Sequence, residues 1–349
     1  MINAAAVTRL QSQLEDERRL VSFDSYDMTV RQIFDMFSEK AIFVPPEYQR
    51  QFVWDPERES VLIESVLLGI PVPSLFMATN KDSTWEIVDG VQRLSTLVHF
   101  IGPSEDFLRD IKRKSPLKIG GLEKLTELNN FTFLDLPKSM QLMFMTRPIR
   151  VTVLNDKSDM SVRFDLFERL NTGGVLLTNQ EIRNCIFRGI FNQNLKKLSK
   201  MPDFATAVRL KDAAHQNGMV EEYVLRFFAY LDNHNVFESS VKDFLNDYMK
   251  EHSDKAISSS KISLFKKTFA ALAVAYPNGI TRGQSATTGA NLYEAISVGL
   301  ALAILAKKNI SREKLEALAE NADLKKLTTV GTNSRKMVLA RIHFVRDAV

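Results

Sequence analysis

The chain has 349 residues, 45% apolar and 25% charged, an ordinary balance for a soluble globular protein with room for two domains of roughly 100–200 residues each. Its one cysteine, Cys185, excludes an internal disulfide framework and every multi-cysteine zinc pattern, and favours a reducing, cytosolic setting. The net charge of +4 is uneven: from Lys255 onward 15 basic residues stand against 6 acidic ones, the mark of a polyanion-binding region or of a solvated basic helical surface.

The N-terminal MINAAAVTRLQSQLEDERRL reads as an amphipathic charged helix over residues 1–21, and its acidic residues separate it from a signal peptide. Ser22 to Asp24 reads as a short strand. Thr29 then opens a helix with Val30, Ile33, Phe34 and Phe37 on one face. Ala41 to Val44 is a strand running into Pro45-Pro46, a turn that must leave helix. Asp55-Pro56 caps the helix ERESVLIESVLL, which Gly69 closes. PVPSLFMAT and WEIV read as strands joined by the polar loop NKDS, and PIRVTVL as another. A helix from about Ser158 to Leu170 ends in NTGG, and Thr178 with Glu181 forms a T-x-x-E capping box. Beyond it only helical periodicity remains, through VEEYVLRFFAYL, KISLFKKTFAALAVAY, NLYEAISVGLALAILA and SRKMVLARIHFV. The fold class is therefore α+β: a mixed domain over residues 22–190, then an all-helical basic domain over 191–349. The longest apolar run, Val298 to Ala306, has nine residues, half of the roughly 18 that a bilayer needs, so no membrane segment is expected.

Three polar clusters carry the candidate chemistry. The first is Tyr48-Gln49-Arg50, the second Asp89-Gly90-Val91-Gln92-Arg93, and the third runs from Phe167 through Glu168, Arg169, Asn171 and Thr172 to Gly174. In the second, a strand stops at Asp89-Gly90 and a helix begins at once. A helix N-terminus offers unpaired N–H groups and partial positive charge, a glycine there lets phosphate approach the backbone, and Arg93 adds a charge-assisted contact. Asp89 and Gln92 could orient a metal ion or water. The plainer reading makes Asp89 a helix cap, Gly90 a residue with positive φ and Arg93 a surface charge. Spacing alone favours that plainer reading. The glycines of the third cluster fit a helix C-cap, and Arg50 fits an ion pair with Glu47 or Glu57.

Other motifs fail. No Walker-type loop is present, and the five histidines are scattered. His234, in DNHNVF, resembles part of an HNH nuclease but lacks its second histidine and ββα pattern. Cys185 falls on the apolar side of EIRNCIF, a core position.

Taken in order, YQRQFVW, LIESVLLGIPVPSLFM, EIVDGVQRLSTL and FERLNTGGVLLTNQEIRN resemble the domain of unknown function 262, the N-terminal domain of Gmr-type modification-dependent restriction endonucleases. The resemblance covers residues from about 20 to the end. It implies a ParB/sulfiredoxin-like core whose turn binds nucleotide phosphates, association with nucleoside-triphosphate hydrolysis, and DNA restriction in anti-phage defence. The family signature is DGQQR. Val91 replaces its first glutamine, which leaves two alternatives: a tolerated variation, or a site that binds nucleotide without hydrolysing it.

The function these residues and the resemblance imply is an NTP-hydrolysing, Mg²⁺-dependent subunit of a DNA-targeting system. Arg50, Arg93 and the Gly90 backbone would hold phosphates, with Tyr48 and Arg169 beside them. Asp89 or Glu168 would hold the metal or orient water, Gln49 and Gln92 would position it, and Asn171 and Thr172 would close the site. DNA would lie on the basic helical domain. Many relatives carry an HNH-type nuclease domain that does not follow here, which leaves two alternatives: a separate nuclease subunit cuts the DNA, or the protein does not depend on cutting. The rivals are a metal-dependent DNA nuclease acting alone and a non-catalytic module gated by nucleotide.

Overall fold

The computed structural model describes residues 3–19, 22–45, 54–80, 82–102, 108–109, 111, 113–155, 160–170, 177–329, 331 and 333–349. They fall into two compact units, Met1–Leu176 and Leu177–Val349.

In the first unit the helices of eight residues or more are α1 (Ala4–Arg19), α2 (Val30–Ser38), α3 (Pro56–Leu68), α4 (Val91–Ile101), α5 (Lys138–Met145) and α6 (Met160–Leu170). The strands are β1 (Phe23–Thr29), β2 (Ile42–Phe43), β3 (Leu75–Thr79), β4 (Trp85–Asp89) and β5 (Pro148–Leu154), in one sheet ordered β1-β5-β3-β4-β2. The sheet is mixed: β1–β5 and β3–β4 pair antiparallel, β5–β3 and β4–β2 parallel.

Periodicity explains most of it. In β5, Ile149, Val151 and Val153 are buried while Pro148 and Arg150 are exposed, the alternation of a strand with one covered face. Strand β1 is longer than the three residues its sequence promised. Its polar run FDSYDMT has weak strand propensity, but every residue from Phe23 to Thr29 pairs with β5, and pairing overrides the local preference. Thr29 caps α2 by a full capping box, Asp55 caps α3 at the Arg58 N–H, and Gly69 closes α3 in left-handed geometry, as the sequence indicated.

The register of β3 and β4 slips once, and the slip bears on the site. Phe76 faces Asp89 and Met77 faces Ile87, so Val88 is an extra residue on β4. A bulge of this kind bends the strand and re-aims the residue beside it. Here that residue is Asp89.

The second unit is helical throughout its described residues. Its helices of eight residues or more are α7 (Asn179–Ile186), α8 (Ile190–Leu198), α9 (Met219–Asn233), α10 (Val241–His252), α11 (Ser259–Ala275), α12 (Ala290–Leu305) and α13 (Arg335–Ala348). The Thr178–Glu181 capping box opens α7 as expected, and Cys185 is a buried free thiol. His234 is buried with Nδ1 at 2.8 Å from the Tyr230 carbonyl, which accounts for it without nuclease chemistry.

A buried ladder of charges, not singled out in the sequence, ties four of these helices together. Arg183 of α7 donates to Glu222 of α9 at 2.5 Å, and Arg226 bridges Glu222 at 2.7 Å to Glu294 of α12 at 2.6 Å. Arg341 of α13 donates to the other oxygen of Glu294. Burial pushes the Glu222 carboxyl up, but Arg226 and Arg183 beside it prevail and hold it below its usual range. Burial lowers Arg183 to about 10, against the pull of Glu222. Removing one member of such a ladder leaves a buried charge without its counter-charge and typically costs about 3–5 kcal/mol.

Candidate functional site

The second cluster builds a tight strand-to-helix turn. Strand β4 ends at Asp89, Gly90 turns at φ 98° and ψ 17°, and α4 starts at Val91. Glycine is required twice over. The positive φ penalises any side chain, and a Cβ at this position would sit 2.6 Å from Leu75 Cδ2. No side chain caps α4, in contrast to Thr29, Asp55 and Thr178 at their helices. Its first N–H groups therefore have no N-cap side-chain acceptor and carry the partial positive charge of the helix end.

Asp89 makes a different bond. Its Oδ2 accepts from Arg93 Nη2 at 2.7 Å, and the same nitrogen donates to the Ser74 carbonyl at 3.0 Å. Arg93 Nε is buried and has no hydrogen-bond partner. The Arg93 side chain is only 17% exposed and Asp89 28%, so the pair is part-buried and does not project freely into solvent. Of the plainer reading, positive φ at Gly90 holds, whereas Asp89 as cap and Arg93 as surface charge do not.

The remaining turn residues separate by direction. Val91 is 6% exposed and packs into the core, so the position that departs from DGQQR points away from the open side of the turn. Gln92 turns the other way and its Oε1 accepts from the Trp54 N–H at 3.1 Å. The Trp54 carbonyl in turn accepts from Arg113 Nη2 at 2.7 Å, and Arg113 reaches the buried Glu59 at 2.8 Å. Glu59 also meets His99 of α4 at 2.5 Å, and His99 Nε2 lies 2.8 Å from the Ser115 carbonyl. This chain fixes the backbone just after Tyr48-Gln49-Arg50 to the DGVQR turn. One signal for it was legible beforehand, the lone His99 in the apolar helical stretch LSTLVHFI.

The other predicted residues are placed in part. Glu168 and Arg169 are exposed on α6, whose Phe164 and Phe167 are buried. Helix α6 packs on β4, where its buried Arg163 comes within 3.7 Å of Glu86. Tyr48, Gln49, Arg50, Asn171 and Thr172 lie outside the described residues. Among the described residues no three His, Cys, Asp or Glu side chains converge as a metal cage. Asp89 Oδ1 has no partner there, so a cation at the turn would rest on one carboxylate and on ligand phosphates, the usual manner of Mg²⁺. No helix among the described residues is long and apolar enough to cross a membrane.

A mixed sheet that delivers a glycine turn and an Asp–Arg pair to an uncapped helix defines an α+β domain, followed by a helical unit. Residues 32–188 match the family described as GmrSD restriction endonuclease, N-terminal domain. All three polar clusters fall within the matched residues. One solved chain, titled "Structure of the C2221 form of Pnob8-like ParB-N domain", is similar at 12% identity over 92% of this chain and 98% of that one, with a TM-score of 0.23. A score of that size carries no argument about the fold. No curated protein matches the chain.

Proposed function

We propose that the chain is a nucleotide-binding, NTP-hydrolysing component of a DNA-targeting restriction system. The observation that carries this reading is the DGVQR turn: an uncapped helix N-terminus beside a part-buried arginine whose Nε lacks an acceptor. Triphosphate oxygens would take the N–H groups after Gly90 and the open edge of Arg93. Asp89 Oδ1 would hold a water or a Mg²⁺ ion, which when bound would neutralise phosphate charge. Water would attack the terminal phosphorus and the nucleoside diphosphate would leave, with catalysis by positioning and charge stabilisation. Gln92 would act indirectly, by holding Trp54 and through it the Tyr48–Arg50 stretch. Glu168, Arg169, Asn171 and Thr172 would complete the site from the third cluster.

DNA would bind through exposed basic residues of the second unit, among them Lys266, Lys267, Lys325, Lys326, Arg335 and Lys336.

A second reading, nucleotide binding without turnover, is favoured by one observation. Gln92, the residue suited to orient the attacking water, has its Oε1 engaged by Trp54. One experiment separates the two: phosphate release and nucleotide affinity for wild type and Arg93→Ala, with and without plasmid DNA at low and high salt. Hydrolysis predicts a loss on the order of 100-fold in Arg93→Ala, the usual effect of removing one charge-stabilising donor. Saturable binding with no phosphate release selects the second reading. Equal turnover and equal affinity in both proteins would remove the site assignment altogether.

A further inference from the structure

A cavity of about 580 Å³ opens in the first unit where β1 and β5 meet the end of α3. Its size falls in the range of small-molecule sites, roughly 300–1,000 Å³. Val66, Ile70, Val72 and Ile149 give it an apolar wall, and Arg147, Arg150 and Asp27 supply its charge. The two arginines differ. Arg150 is answered in full by Asp27, through Nε at 2.8 Å and Nη2 at 2.9 Å. Arg147 is not. Its Nη2 donates to the Leu67 carbonyl at 2.7 Å, the ordinary act of an arginine capping a helix C-terminus. Its Nε is buried without an acceptor, and among the described residues no carboxylate pairs with it. The guanidinium lies against Gly69, 3.1 Å from where a Cβ would stand, so the α3 cap holds it in place.

Capping accounts for one of the five N–H groups of Arg147. An unanswered guanidinium N–H beside a largely apolar cavity of ligand size is costly unless an anion visits it. We propose that this cavity is a second ligand site, for a small organic anion whose carboxylate or phosphate meets Arg147 and whose apolar body lies against Val66, Ile70 and Val72. The site is separate from the DGVQR turn in its anchoring arginine. The two share the segment after Gly69, since Val72 lines the cavity and the Ser74 carbonyl holds Arg93.

The test is calorimetric and NMR titration of the full chain with benzoate and with phenyl phosphate, which separate the two head groups. It is run on wild type, Arg147→Gln, Val72→Phe and Arg93→Ala, with thermal melts to establish folding. Saturable binding of at least one probe is expected, weakened roughly tenfold or more by Arg147→Gln through loss of a charged hydrogen bond. Val72→Phe, which fills the cavity and leaves Arg147 intact, is expected to weaken it similarly, and Arg93→Ala to leave it within about twofold. Binding of neither probe, or unchanged binding in a folded Val72→Phe variant, overturns the site. Loss in Arg93→Ala alone would place the probe at the DGVQR turn, overturning the cavity while leaving the proposed function standing.

Discussion

Gly90 and Val91 are neighbours with opposite duties. Gly90 must be bare, because its φ of 98° and the nearby Leu75 leave no space for a side chain. Val91 is apolar and its side chain enters the core. The departure from DGQQR is thus a change on the inner face of the turn, and it leaves the outward-facing groups in place. Gly90→Ala combines a left-handed penalty of about 1–2 kcal/mol with a clash that Leu75 must relieve. We expect a loss of at least about 2 kcal/mol in denaturant unfolding. A variant as stable as wild type would mean that the turn adopts another geometry.

At the scale of elements, caps were the most legible feature of the sequence and strand lengths the least. Thr29, Asp55, Gly69 and Thr178 act where their local patterns placed them, because a cap is decided by residues within one helical turn. The length of β1 was hidden because its partner β5 lies more than a hundred residues away. The bulge at Val88 was equally hidden, since it exists only as a mismatch between two strands. The capping boxes at Thr29 and Thr178 differ in a way that only packing reveals. Thr178 Oγ1 also donates to the Asn217 carbonyl at 2.6 Å, a bond across 39 residues. Thr178→Ala should therefore cost about 2 kcal/mol and Thr29→Ala about 1 kcal/mol, by denaturant unfolding. Equal costs would show that the bond to Asn217 contributes nothing.

For the whole molecule, stability should depend on pH in two steps, both arising in the second unit. His234 and His343 are held below their ordinary value of 6.5, first by burial, with Arg346 adding to it. Each is neutral when folded and binds a proton more readily when unfolded, so stability is lost as pH falls below about 6.5. Glu222 is held below its ordinary 4.5 because Arg226 and Arg183 outweigh burial. Its contribution is complete above that value and is lost as pH falls through the lower folded value. The melting temperature should therefore decline below pH 6.5 and more steeply below pH 4.5, with the steeper step reduced in Glu222→Gln. A curve flat from pH 8 to pH 4 would contradict this.

The sequence by itself determined the order of elements, the mixed-then-helical architecture, the helix caps and the DGVQR turn as the place to look. Those features depend on periodicity and on residues adjacent in the chain. Only the tertiary structure decided what the turn residues do: that Asp89 serves Arg93 and no cap, that Val91 is core, and that Gln92 tethers Trp54. It alone revealed the five-member charge ladder, because Arg183, Glu222, Arg226, Glu294 and Arg341 lie on four separate helices. The physical reason is common to all of these: a polar side chain takes its role from the partner that answers it, and these partners become neighbours only when the chain folds.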